Sequence, residues 1–220
     1  MNEIVFNCSM LEFIKVVSEE EFHFAKIDFF CSKVTVYFVS HNNEFIIGQE
    51  SAVEIFQSFI GNLKKTINNN LQLDKSIIKN LGLMENQYWN ESQFQKKEFI
   101  MVNSSDGSSK YWIGSRYEIW NFNGKGSQSI NVWLYNDDNG NIIFEVTPLY
   151  QWSFLPDEPE NPDFQTYEEF MKDYKPLITR VIPRQVAIEW LGQAMKVYRG
   201  LFPTEELYID FCKKLGWKDC

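Results

Sequence analysis

From residue 111 to residue 154 aromatic and polar residues alternate, and a period of two predicts half-buried strands. Two such runs are separated by Asn139-Gly140, and since both residues tolerate positive φ, a type I′ hairpin is expected between them. With these two as the turn, Asp138 opposes Asn141, and stepping outward pairs Asp137 with Ile142, Tyr135 with Phe144 and Trp133 with Val146. The register makes that aromatic face the expected core, and it sets Leu134 against Glu145 and Val132 against Thr147 on the other face. Upstream, Tyr117, Ile119 and Asn121 alternate with Glu118, Trp120 and Phe122, and a loop from Asn123 to Ser129 leads into a strand at Ile130. A meander of at least three strands results.

Ahead of this segment the pattern is mixed. Ser9 and Glu12 have the spacing of a capping box and predict a short amphipathic helix with Met10, Phe13, Ile14 and Val17 on one side. Strand-like runs follow over residues 24–30, at Val34, Val36 and Phe38, and at Phe45 to Ile47 after a turn at His41-Asn42-Asn43. Ser51 and Glu54 form a second capping box before Val53, Phe56, Phe59, Ile60, Leu63 and Ile67, which recur at helical spacing. Residues 68–94 are rich in Asn, Gln and Lys, with one helical turn around Ser76 to Leu81, and form either a linker or an irregular excursion.

Beyond the aromatic segment, Pro156, Pro159 and Pro162 mark an extended connector. Thr166 and Glu169 cap a helix ending near Lys175-Pro176. Pro183 precedes a helix carrying Val186, Ala187, Trp190, Leu191, Ala194, Val197 and Tyr198 as far as Gly200, and Thr204 opens a last helix that stops at Gly216. Strands followed by a run of helices imply an α+β fold, an antiparallel sheet centred on residues 111–154 with amphipathic helices on its N- and C-terminal sides. At 220 residues and 44% hydrophobic composition the chain is expected to form one domain over residues 1–220, with sub-units at 1–68, 98–154 and 164–217.

Residues 1–7 lack the features of a signal peptide, and no run approaches the roughly 20 apolar residues that span a bilayer. Cys8, Cys31, Cys212 and Cys220 are widely spaced and suit reduced thiols better than a disulfide framework or a zinc site, so a cytoplasmic protein without membrane contact is expected. A formal net charge of -9 disfavours nucleic acid as a partner, because phosphate neutralisation needs clustered Lys and Arg. Acidic residues gather instead at Glu19-Glu20-Glu21 and along Asp157, Glu158, Glu160, Asp163, Glu168, Glu169 and Asp173, a surface suited to a basic protein partner or simply to solvent.

Motifs for chemistry are scarce. His23 and His41 are the only histidines, and neither sits in a recognisable catalytic or metal-binding setting, so no metal or other cofactor is expected. Gly124-Lys125-Gly126-Ser127 fails as a phosphate loop because Ile119 stands where the P-loop needs its first Gly. Asp137 to Asn141 fails as a calcium loop because Tyr135 and Val146 fall at ligand positions. Glu118 and Glu145, on different strands, are the one candidate acid and base pair, and they support an alternative reading as a carboxylate-dependent hydrolase or a carbohydrate-binding module with nearby Trp residues. Trp112, Trp120 and Trp152, followed by Asp157, Glu158 and Glu160, are the candidate binding residues, aromatic anchors beside an acidic segment where one face of the sheet is exposed; helices covering both faces would bury these tryptophans instead. The layout is that of many small bacterial immunity or inhibitor proteins. The leading expectation is therefore a non-enzymatic acidic protein that binds another protein, such as a basic toxin.

Overall fold

A computed structural model describes residues 3–18, 33–41, 43–91, 99–104, 107–123, 129–152, 160–161 and 164–217. The expected strand at 24–30, His23, Cys31, Cys220, the Gly124 to Ser127 loop, the connector prolines, Asp157 and Glu158 lie outside these residues. Strands β1 (Glu3–Asn7), β2 (Glu12–Ser18), β3 (Lys33–Ser40) and β4 (Asn43–Ser51) form an antiparallel meander in the order β1-β2-β3-β4. Here β2 replaces the helix expected at Ser9. Ile14, Val16 and Ser18 are buried while Phe13, Lys15 and Val17 are half-buried, a period of two in a β-branched run. The Ser9 hydroxyl accepts the Leu11 N–H inside the tight turn from β1 to β2, so its bonding serves a turn and not a helix.

Helix α1 (Ala52–Ile67) begins where expected, with the Ser51 hydroxyl accepting the Glu54 N–H. Its buried residues cover more than one side of the helix, and Phe59 shows why: its ring lies 5.3 Å from Phe6, 4.9 Å from Trp120 and 5.9 Å from Trp190. The polar stretch after α1 contains a true helix, α2 (Leu81–Asn90), longer and later than the single turn expected. A small hairpin, β5 (Met101–Asn103) with β6 (Lys110–Trp112), and a 3-10 turn at Ile113–Tyr117 lead into the second sheet.

That sheet is built from β7 (Glu118–Phe122), β8 (Ser129–Asn136), β9 (Ile142–Leu149) and β10 (Ile178–Ile182), in the order β10-β9-β8-β7 and antiparallel throughout. Helix α3 (Tyr167–Lys172), with both halves of the Thr166/Glu169 capping box formed, lies between β9 and β10 in the chain. The sequence pattern did not reveal β10. Helices α4 (Arg184–Gly200) and α5 (Glu205–Lys214) follow, and α5 ends at Gly216 with φ of +69°, where the Trp217 N–H bonds the Cys212 carbonyl and the Gly216 N–H bonds that of Lys213. The chain is thus α+β, and among the described residues the N-terminal strand runs build one four-stranded antiparallel meander and the aromatic segment, with β10, builds another.

The β8–β9 hairpin departs from the expected register by one residue. Gly140 alone has positive φ (+79°), and the Gly140 N–H bonds the Asp137 carbonyl at 2.9 Å, which makes a type I turn closed by a left-handed glycine instead of type I′. The Asp137 carboxylate fixes this turn by accepting the N–H groups of Asn139 and Asn141. Tyr135 therefore pairs with Ile143, Leu134 with Phe144, Trp133 with Glu145 and Val132 with Val146. Trp133 and Tyr135 thus share a face with Glu145 and not, as expected, with Phe144 and Val146. A second irregularity, between Glu118 and Trp120, turns these two residues to opposite faces although they are two apart in the chain.

Both faces of the second sheet are buried. Val132, Leu134, Phe144 and Val146 join a core that also takes Phe6, Val36, Phe59, Trp190 and Cys212, so it draws on elements from β1 to α5. Trp133, Tyr135 and Ile143 join a second core with Leu81, Met84 and Trp112, and a third cluster groups Tyr150, Trp152 and Phe170. Polar links tie the layers. Arg180 on β10 bonds the Glu12 carboxylate on β2 at 2.6 and 2.7 Å, and this pairing holds Glu12 down to about 2. Trp190 and Gln193 of α4 donate to the carbonyls of Asn7 and Val5, which shields the outer edge of β1. Cys212 is disulfide-bonded, which corrects the expectation of reduced thiols, while Cys8 is free. Among the described residues no helix is long and apolar enough to cross a membrane.

The seating of α2 depends on Gly82. A Cβ there would collide with Thr147 and the Tyr174 hydroxyl, so the helix lies directly against β9. Alanine is the better helix former by about 1 kcal/mol, but overpacking costs about 1–3 kcal/mol. Gly82→Ala is therefore expected to lower stability in urea denaturation; a gain would show that α2 is not seated so closely.

Candidate functional site

The cross-strand pairs Glu118–Trp133 and Trp133–Glu145 place the two candidate carboxylates in one row across β7, β8 and β9, on the face that α2 covers. Two strand spacings separate them, roughly 10 Å between backbones, with the Trp133 ring between. Trp133 is fully buried and donates its indole N–H to the Thr147 hydroxyl at 2.7 Å. The register that decides this row is the one the Gly140 turn imposes.

Glu145 is 3% exposed. Its carboxylate accepts from Asn80 Nδ2 at 2.9 Å, from the Thr179 hydroxyl at 3.2 Å and from the Tyr135 hydroxyl. Burial pushes the carboxyl above its ordinary range, and the three donors pull the other way. Asn80 is the pin of this network. Its Oδ1 caps α2 by accepting the Leu83 N–H and also accepts the Tyr174 hydroxyl at 2.6 Å, while its Nδ2 holds Glu145. Six residues on, Asn86 donates to the Pro148 carbonyl at 2.9 Å and accepts the Tyr150 N–H at 2.7 Å. The helix is thus stitched to β9 by amide side chains.

A third carboxyl was not anticipated. Glu85 lies on the same inner face of α2, 3% exposed, and Oε1 accepts the Trp89 indole N–H. Burial raises it to about 8 against the opposing pull of the Trp89 bond, and the nearby Glu118 charge adds to the rise. Glu118, half-buried, is raised by burial as well and accepts from Asn121 at 2.8 Å. Gly82, Glu85, Asn86 and Trp89 recur at the i, i+3, i+4, i+7 spacing of one helical face. That stripe was the available signal, and it is hidden from a hydrophobicity pattern because it is polar.

The candidate binding residues fall elsewhere. Trp112 packs in the second core, 5.9 Å from Tyr88 and 5.8 Å from Phe99; Trp120 lies in the first core and donates to the Ile55 carbonyl; Trp152 lies in the third cluster, 5.3 Å from Phe164. All three are buried, so they do not form an exposed aromatic surface: helices cover both faces of the sheet, the alternative under which these tryptophans are core. Glu160 is exposed, as are Glu168, Glu169 and Asp173 around α3. His41 is exposed, with Nδ1 3.0 Å from the Ser40 hydroxyl. Among the described residues no group of three or more His, Cys, Asp or Glu side chains is placed to hold a metal ion.

What this arrangement can do chemically follows from enclosure. Glu118 and Glu145 share a face, as an acid and base pair requires, but Glu145 is sealed and its bonds are to structural elements. Comparison with protein-family models, with curated proteins and with solved structures finds no match.

Glu145→Gln tests the structural role directly. The new amide sets a donor against one of the Asn80, Thr179 and Tyr135 donors, and an unsatisfied buried polar group costs about 1–3 kcal/mol. A loss of that size in the unfolding free energy is expected; an unchanged value would show that the network does not hold α2 to β9.

Proposed function

We propose that the protein is a non-enzymatic binding protein for a basic protein partner, with the surface around α3 as its docking face. The distribution of charge carries this reading. Between Asp157 and Met171 stand six acidic residues, Asp157, Glu158, Glu160, Asp163, Glu168 and Glu169, with no Lys or Arg. The described part of the surface has a firm backing. Tyr150, Trp152 and Phe170 form a cluster beneath α3, joined by Phe164, Tyr167 and Tyr174, and the Tyr167 hydroxyl bonds Glu91 at the end of α2.

A negative surface on an ordered base speeds the encounter with a cationic partner and disfavours wrong ones. An immunity or inhibitor protein that covers the cationic surface of a toxin has this requirement. The alternative, a hydrolase or sugar-binding module using Glu118, Glu145 and the Trp residues, draws less support, because Glu145 is enclosed by its own hydrogen bonds and Trp112, Trp120 and Trp152 are buried.

The test is cross-linking in native-host lysate with mass spectrometry, followed by association kinetics with the partner recovered. Reversing Glu160, Glu168 and Asp173 to Lys, while leaving Glu169 to its capping box, is expected to slow association by about tenfold or more at low salt, with the difference closing as salt rises. Reversing Glu189, Glu206 and Asp210 on α4 and α5 serves as the control of equal charge. If both variants bind alike, the α3 surface is not the docking face.

A further inference from the structure

Glu85 is an ionisable group in a setting that suits only its neutral form. It lies on the inner face of α2, and its two oxygens are unequal: Oε1 accepts the Trp89 indole N–H at 2.5 Å, while Oε2 is enclosed without a hydrogen-bond partner. The elements around α2 bring other charged or titratable groups to this side of the sheet. Glu118 comes from β7, Tyr135 from β8, Glu145 from β9, Arg116 and Tyr117 from the 3-10 turn, and Tyr167 and Tyr174 from α3 and the segment after it; Tyr88 is on α2 itself and Glu91 is its C-terminal cap. Arg116, the one cation in this set, directs Nη2 to the Gln72 carbonyl at 3.1 Å, and the hydroxyls of Tyr117, Tyr167 and Tyr174 bond Gln72, Glu91 and Asn80. No ion pair to Glu85 is present among the described residues, and Glu118 is a like charge.

The helix that carries Glu85 is anchored by few large side chains, one of them Tyr88, half-buried against Phe99 and Trp112. Of its ten residues, only Leu81 and Met84 are large apolar side chains that are buried; the rest of its buried face is Gly82, Glu85 and Asn86. Segments with few buried apolar contacts open locally before the rest of a fold. An ionised carboxylate with one donor in an enclosed site is disfavoured, whereas in an opened helix the same group is solvated.

We propose that Glu85 is a proton-operated latch: while its carboxyl is protonated α2 stays seated on the second sheet, and its ionisation releases the helix and uncovers the Glu118–Trp133–Glu145 row. The sign follows from proton occupancy. Seated, the group titrates near 8, and released, near its ordinary value of 4.5. Between these values the seated form binds a proton the released form lacks, so rising pH favours release by about tenfold per pH unit, and the effect levels off above the seated value. The latch goes beyond the binding role and does not depend on it.

Hydrogen exchange of the α2 amides on the full chain, corrected for the intrinsic rate at each pH, tests the latch. The ratio of α2 protection in Glu85→Gln to that in the unaltered protein is expected to rise about tenfold per unit from about pH 5 to about pH 8, with the ratio for α4 amides flat. A ratio independent of pH, or one that rises equally in α4, overturns the proposal. Glu118→Gln gives an independent reading should Glu85→Gln fail to fold: removing the like charge makes α2 in that variant better protected than in the unaltered protein near pH 8, and equal or lower protection counts against the latch.

Discussion

The β8–β9 hairpin is buried on both faces, and the rest of the molecule is arranged around that constraint. A strand pair with one solvated face can keep its polar residues in water, but here every residue from Ser129 to Pro148 that lies in the two strands is buried. One face meets the first sheet, α1 and α4 through apolar side chains. The other carries Trp133, Tyr135, Glu145 and Thr147, so whatever covers it has to supply hydrogen bonds as well as contact area.

Helix α2 meets that demand. A Leu-rich helix would deprive Glu145 of the Asn80 amide and leave the Pro148 carbonyl and the Tyr150 N–H without Asn86, whereas α2 and its cap supply both amides and the helix approaches the sheet closely at Gly82. The same polar face carries Glu85, the member of the set whose second oxygen is unmatched. Stability and sensitivity to protons thus come from one interface. A small aromatic cluster beneath α3 is joined to this interface through Tyr174 and Asn80, so the acidic surface and the carboxyl layer share a support.

Much of this was legible in local patterns. The side-chain cap at Ser51, the full capping box at Thr166, the stop at Gly216 and the alternation in β3 each depend on residues within a few positions and formed from those local patterns, although the Ser51 backbone N–H bonds Glu50 and not Glu54. The misreadings have a common origin. Ser9 and Glu12 have capping-box spacing, yet β2 pairs on both sides, with β1 and β3, and that pairing outweighs a local cap. Strand β10 is five residues that make sense only against β9. Asn80, Glu85 and Asn86 fell in a stretch that reads as a linker or an irregular excursion, because polarity in a sequence does not say whether the partner is water or Glu145.

The sequence by itself determined the class of the fold, the position of most helices, the acidity and where that acidity gathers, because each follows from composition or from near neighbours in the chain. Only the tertiary structure decided the site. Whether Glu118 and Glu145 share a face depended on a turn one residue longer than the shortest hairpin and on a bulge before Trp120, since a single-residue slip exchanges the faces of a strand. Whether the tryptophans were surface or core depended on what covered the second face. That covering is a contact between residues some sixty positions apart, such as Asn80 and Glu145, and no local pattern contains it.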